Sequence, residues 1–265
     1  MLMRYFTKRN RAILREMVST DFKIRYQGSA LGYVWSLLKP LLLFAILYIV
    51  FMYIIPLGKD IEHYPVYLLT GIVLWNFFAE TTMLGATSIV AKGDLIRKIS
   101  IPRYLIVIAS SLSALINLSL NMVVIVIFAI FNGVDFTWHW ILIIPTLIQL
   151  YILALGVSFI LATAYVKFRD ITYIWEVVLQ AGFYASAVIY PVTMVPEAFR
   201  KLFFMNPMVQ IMQDAKWAIV TDSSITIWGT IHSWVAFVPI IMTFALFAIG
   251  ILYFRSQAHT FAEDI

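Results

Sequence analysis

The chain has 265 residues, 62% of them hydrophobic and only 12% charged. Ordinary globular domains run about 45–50% apolar and about 25% charged, so a water-soluble fold is excluded and a polytopic membrane protein is required. The net charge of +5 does not indicate a nucleic-acid partner, because the basic residues collect beside apolar runs, and with no cysteine there are no disulfides, thiolates or cysteine-held metals.

In chain order, the first element is a basic leader. It carries Arg4, Lys8, Arg9, Arg11, Arg15, Lys23 and Arg25. Ile13, Leu14, Met17, Val18 and Phe22 recur at helical spacing, with Arg11, Arg15 and Ser19 on another face. This pattern predicts an amphipathic helix at the membrane interface within residues 1–28, its Lys and Arg side chains towards the headgroups. A basic tail held by charge alone is the competing reading. The leader is too polar for a signal-peptide core, and no cleavage site follows.

Residues 29–265 are expected to form one six-span, all-α membrane domain. The predicted spans cover about 31–55, 66–90, 104–131, 140–166, 174–190 and 234–254, each judged against the roughly 20 residues a bilayer core needs. Pro56, Leu57 and Gly58 end the first span, and the fifth is short. Basic loops at 91–103 and 167–170 alternate with weakly charged ones. With the N-terminus inside, fifteen Lys and Arg fall on the inner side and four on the outer. That asymmetry predicts both termini in the cytoplasm and an even number of spans.

Residues 191–220 depart from this rhythm. Pro191, Pro196 and Pro207 interrupt the stretch, and Val192, Val195, Phe199, Phe203 and Phe204 alternate with Glu197, Arg200 and Lys201. Irregular backbone at membrane depth is tolerated only against protein or water. Two short re-entrant helices gating an outer exit fit the pattern, with Tyr190, Pro191, Pro196, Phe199 and Pro207 as gate residues. So does a surface loop with two interfacial helices.

Ionisable groups within spans are expensive in lipid and read as functional by default. Glu80 lies midway along the second span. Counted from the outer side, Glu80 lies about 21 Å in and Lys39 about 24 Å, so a Lys39–Glu80 ion pair is expected. A snorkelling Lys39, with Glu80 facing a conduit, is the alternative. In the third span Ser110, Ser113, Asn117 and Asn121 share one face at spacings of three, four and four. Such a stripe suits helix–helix contact in lipid more than pore lining, as do Gly156, Ser158, Ala162 and Thr163 in the fourth. Trp138, Trp140, Trp217, Trp228 and Trp234 fall near the predicted outer boundaries, as an interface belt does. Trp35, Trp75, Phe77, Phe78, Phe183 and Tyr184 are conduit candidates, since aromatic faces stack on sugar rings; core packing is the alternative for each.

Several chemistries are missing from the sequence. It has no G-x-x-x-x-G-K-[ST] run, so no phosphate-binding loop of that type. His63, His139, His232 and His259 have no metal-ligand spacing. Clustered acid–base groups and an internal repeat are not evident.

The run FKIRYQGSALGYVWSLLKPLLLFAILYIVF resembles the opening motif of type-2 ABC exporter permeases for O-antigen, capsule and teichoic acid. The likeness continues through YLLTGIVLWNFFAETT, AKGDLIRKISIPR, KFRDI, FYASAVIYPVTMVPEAFRKLFFMNPM and the closing FAEDI, in order over nearly the whole chain. Lys39 stands where the family commonly has Asn, and Ala187 where it commonly has Pro. The resemblance implies a permease that is not itself an enzyme, working as a homodimer with two cytoplasmic subunits that bind ATP and Mg. It implies export of lipid-linked polysaccharide across the bacterial cytoplasmic membrane and no cofactor in this chain. It also implies coupling contacts at 91–102, with Lys92, Asp94, Arg97 and Lys98, and at Arg169 and Asp170. A permease for drugs or small lipids, an ATP-independent transporter or channel, and an intramembrane glycan-processing enzyme are the rival readings. The motif match argues against drugs or small lipids, and recovery of an ATPase partner separates the exporter from an ATP-independent transporter.

Overall fold

The computed structural model describes residues 8–26, 28, 32–55, 57–98, 101–221, 223–259 and 261, the side chains of Phe22 and Tyr26 excepted. Pro56, the start of the first predicted span at 31 and most of the closing FAEDI lie outside the described residues.

Eleven α-helices follow in order among the described residues. They are α1 (Lys8–Tyr26), α2 (Val34–Ile49), α3 (Tyr64–Ala91), α4 (Gly93–Lys98), α5 (Tyr104–Phe131), α6 (Ile143–Lys167), α7 (Ile171–Ala185), α8 (Glu197–Phe204), α9 (Pro207–Ile219), α10 (Ile227–Thr230) and α11 (Val238–Gln257). Five helical stretches are long and apolar enough to cross a bilayer: α2 with its extension to Ile54, then α3, α5, α6 and α11, the last two with short 3-10 entrances. At 15 residues, α7 reaches only about 22 Å, short of a full hydrocarbon core. The expected fifth crossing, at 174–190, is therefore a helix that stops at Ala185, followed by an irregular segment.

At the centre of the bundle is α3. Of its most apolar stretch 72% is buried within the protein, against 11% for α2. It packs on α2, α5, α6, α7 and α9, while α11 packs chiefly on α6. The α6–α11 seam is held by small residues. A Cβ on Gly250 would meet the Gly156 carbonyl oxygen at 2.3 Å, so these two backbones touch directly, as GxxxG-like contacts in lipid do. The serine and asparagine stripe of α5 is buried. Asn117 donates to Glu80 on α3 at 2.8 Å, and Asn121 to the Ser36 carbonyl at 3.3 Å. On α6, Ser158 donates to the Thr81 carbonyl on α3 at 3.1 Å. The stripe thus links helices within this chain.

The end of α2 was not foreseen. Val50–Ile54 winds as a π-helix before the chain turns extended at Ile55. The helix α1, expected at the membrane interface, is docked on the bundle. Its apolar side, centred on Met17, packs on Ile106, Val107 and Ala109 of α5. Asn10, near its start, donates to the Tyr104 hydroxyl at the start of α5 (3.4 Å), while Arg25, at its end, reaches the level of Asn117. The helix therefore runs beside the first half of α5, and its exposed Arg11 and Arg15 face away.

Candidate functional site

The expected Lys39–Glu80 ion pair is corrected by the structure. Arg25 of α1 supplies the partner, Nη1 to Oε1, and Asn117 donates to the same oxygen. Because α1 lies along α5, a guanidinium arrives where depth alone had pointed to Lys39. Lys39 is exposed on α2 and adds only a weaker electrostatic attraction to that carboxylate. One turn earlier on α1, Asp21 receives Lys92, whose Nζ lies 2.8 Å from both carboxylate oxygens. Asp21 and Arg25 are spaced i, i+4 and so share a face. Two ion pairs therefore clamp α1, one to the α3–α4 junction and one to the middle of α3. The sequence reading missed Arg25; its signal was the pairing of Asp21 and Arg25 on one face of an otherwise basic helix.

The coupling candidates lie at this end of the bundle. Asp94, Arg97 and Lys98 are exposed on α4, a single short helix. Arg169 stands 5.2 Å from the Tyr165 ring centroid, and Asp170 is exposed at the start of α7. Lys92 differs from the others in being held by Asp21. Arg97, Lys98, Arg103 and Arg255 line an open cavity of about 600 Å³ beside α4.

The conduit candidates divide. Trp75 and Phe78 are buried and join α3 to α7: Trp75 meets Phe183 edge-on at 6.1 Å, and Phe78 meets Trp175 at 6.2 Å. Trp175 also donates to Thr82 Oγ1 at 2.9 Å. Tyr184 is exposed on α7. In the chain as it stands, Trp75 and Phe78 act as packing and Tyr184 faces outward.

At the opposite end sits the broken segment. The Tyr190 hydroxyl donates to the Tyr184 carbonyl at 2.7 Å, and the Tyr190 carbonyl accepts from Tyr67 at 3.1 Å. Pro191 is extended; Pro196 precedes α8, whose Phe199 is exposed. Pro207 occupies the first turn of α9, where its missing N–H costs nothing, and Asn206 caps that helix by accepting from the Met208 amide at 2.9 Å. Both α8 and α9 form within the predicted outer segment, and α9 is mostly buried against α3, α6 and α11.

Two groups here were missed. Lys216 of α9 is completely buried, and its Nζ donates to the carbonyls of Ala187 (2.6 Å) and Val188 (3.1 Å) and lies 3.7 Å from the Tyr67 ring centroid. Burial pushes its ammonium well below the usual lysine range. Ala187 has φ 51, left-handed backbone that a proline ring cannot adopt, so the departure from the resembling family at this position suits the turn observed. The second group is a hydrogen-bonded chain from Thr243 through Gln149 and Gln210 to Asp214. The signal for both was that α9 carries only Asp214 and Lys216 as charges in an otherwise largely apolar helix.

The described residues contain no cluster of His, Asp and Glu able to hold a metal. The chemistry on view is ionic clamping at one end and a polar, aromatic-lined break at the other, which suits binding and movement.

Comparison with known proteins fits this geometry. The family model for ABC-2 type transporters matches residues 14–216, from the leader helix through α9. The chain is 28% identical over 256 residues to an O-antigen export system permease protein RfbA of Klebsiella pneumoniae, covering 95% of this chain and 94% of that protein. It is 31% identical over 205 residues to the RfbA permease of Myxococcus xanthus, covering 76% and 78%. To the polysialic acid transport protein KpsM of Escherichia coli it is 22% identical over 208 residues, again covering 76% and 78%. With α2, α3, α5, α6 and α7 and most of the leader and broken outer segment falling within the matched region, the chain belongs to the ABC-2 type transporter family.

Proposed function

We propose that this chain is the permease subunit of an ATP-driven exporter that moves lipid-linked polysaccharide of the O-antigen, capsule or teichoic-acid type outward across a bacterial cytoplasmic membrane. The observation that carries this reading is the near end-to-end similarity to an O-antigen export permease, 95% of one chain against 94% of the other. The chain works as a homodimer with two cytoplasmic ATPase subunits, which bind ATP and Mg; this chain catalyses nothing. It crosses the membrane six times, α7 with the segment after it forming the fifth crossing, and both termini are cytoplasmic, as the Lys and Arg asymmetry supports.

In this arrangement α4, with Asp94, Arg97 and Lys98, and the turn at Arg169 and Asp170 receive the ATPase. Lys92 passes displacement of α4 to Asp21, and α1 passes it through Arg25 to Glu80 in α3. Nucleotide changes the conduit only if ATP-bound and ATP-free partners hold α4 differently. At the outer end α8 and α9 act as gate helices, re-entering the outer leaflet, with Tyr190, Pro191, Pro196, Phe199 and Pro207 forming the hinges and rim. Of the residues expected to line the conduit or to pair within the membrane, Glu80 is the paired one and Tyr184, exposed on α7, faces outward.

The test is deletion of the gene in its own host. Loss of surface polysaccharide with lipid-linked polymer accumulating in the inner leaflet is expected, restored by the wild-type chain. Unchanged surface polysaccharide in the deletion strain rejects the proposal.

A further inference from the structure

A cavity of about 520 Å³ opens between the first turns of α6 and α11 and the side of α9. Its size suits a small ligand. Its walls are unlike those elsewhere. Trp217 and Trp228 supply indole faces, Thr226 a hydroxyl, and Gln149, Gln210 and Asp214 a line of hydrogen-bonding groups along one side. No lysine or arginine lines it.

The polar line is braced before any ligand arrives. Gln149 donates to the Gln210 side-chain oxygen Oε1 at 2.6 Å, and Gln210 donates to Asp214 Oδ2 at 2.5 Å. Gln149 also donates to Thr243 Oγ1 at 3.4 Å, tying the line to α11. The Trp228 indole N–H faces the Asp214 carboxyl, and Asp214 is half-buried at the cavity wall, its Oδ1 turned inward.

We infer that this cavity is a subsite for a neutral sugar ring of the exported glycan, with the Asp214 carboxylate and the Gln149 and Gln210 amides meeting ring hydroxyls and Trp228 stacking on the ring. The inference rests on the polysaccharide reading above and adds where on this chain the glycan is held. Phosphate is disfavoured by the absence of basic lining residues. A second cavity of about 480 Å³ shares Trp217 and Thr226 with the first and continues past Ser223, Ser224 and Thr230. Hydroxyl-bearing walls suit a further sugar unit. Arg200, also on that wall, already donates to the Val195 and Thr193 carbonyls at 2.9 Å each. A carboxylate, amides and indoles together match the two surfaces of a sugar, its hydroxyl rim and its C–H face.

The experiment uses the full-length chain in lipid nanodiscs. Saturation-transfer NMR is recorded with rhamnose, mannose, galactose and N-acetylglucosamine in turn, and with ethanolamine as the cationic headgroup probe. At least one sugar is expected to give saturable transfer at its ring protons, and Asp214→Asn should weaken it by about tenfold or more. Trp228→Ala, at a partly exposed position, removes the stacking face and should weaken it too, which keeps the test open if Asp214→Asn misfolds. The inference is overturned if no sugar saturates, if both variants bind as wild type does, or if ethanolamine saturates and the sugars do not. Failure of the export reading is separate: it shows as a wild-type chain that does not export, whereas failure here shows as a chain that exports and binds no sugar.

Discussion

Glu80 sits within a span because Arg25 and Asn117 meet its carboxylate. Removing one partner of such a pair leaves the other charge stranded, at a cost of about 3 kcal/mol, whereas replacing both with apolar groups is often neutral. Arg25→Met should therefore lower the unfolding temperature in detergent, and Arg25→Met with Glu80→Met should recover most of the loss. A double variant no better than the single one refutes the pairing. The need for a partner at Glu80 was legible in the sequence, but the partner's identity was not. Depth along two antiparallel helices pointed to Lys39; the choice was made by α1 docking on α5, which an amphipathic pattern alone does not specify. Lys216 makes a similar point, since a lysine in an outer segment reads as a surface charge until its carbonyl partners are seen. Ala187→Pro is expected to break the turn those carbonyls belong to, because its φ of 51 lies outside proline's range. Proteolysis at that turn or loss of folded protein is the readout, and a fully stable variant contradicts it. Burial pushes the Asp214 carboxyl from 3.8 up to about 6. The folded chain therefore holds that proton more tightly than the unfolded chain. The resulting stabilisation is complete below the unfolded value and is lost as pH rises through about 6. Wild type should lose more thermal stability between about pH 5 and pH 7 than Asp214→Asn does; equal losses argue against a buried, protonated Asp214.

Among elements, the long spans were the most legible. Continuous apolar runs placed α5 at its observed bounds and α3 within two residues of its own. What the runs did not reveal was the contact that sets helix spacing. The Gly156–Gly250 touch brings α6 and α11 together closely enough that no side chain fits. Gly250→Val should force them apart at a cost of about 1–3 kcal/mol or more, visible as loss of monodisperse protein on size exclusion. An unchanged profile and unfolding temperature contradict the close seam. The polar stripe of α5 was correctly assigned to helix contact, because Ser and Asn in lipid find neighbours more readily than they line pores. The short α4 and the π-helical end of α2 left no periodic signal, since a single turn is too short to show one.

For the whole molecule, several helices leave apolar faces uncovered, α2 and α7 among them. These faces include Leu42, Ile46 and Ile49 on α2 and Tyr173, Ile174 and Val177 on α7. Lipid covers such surfaces in any membrane protein, and in the proposed homodimer a second copy covers part of them. The exposed charges at Arg97, Lys98 and Arg169 leave a partner something to grip. Reversing Arg97 and Lys98 to Glu should leave the chain folded, as substitutions of exposed residues generally do, while abolishing stimulation of the ATPase by the membrane subunit. Normal stimulation in that variant removes α4 from the coupling path. The most direct measurement of the export assignment is co-purification of the wild-type chain from its native membranes in mild detergent, with mass and ATPase activity determined on the isolated complex. An ATPase subunit in one-to-one ratio, in a complex of two copies of each chain, is the expected result. An oligomer of this chain alone, without ATPase activity, contradicts it.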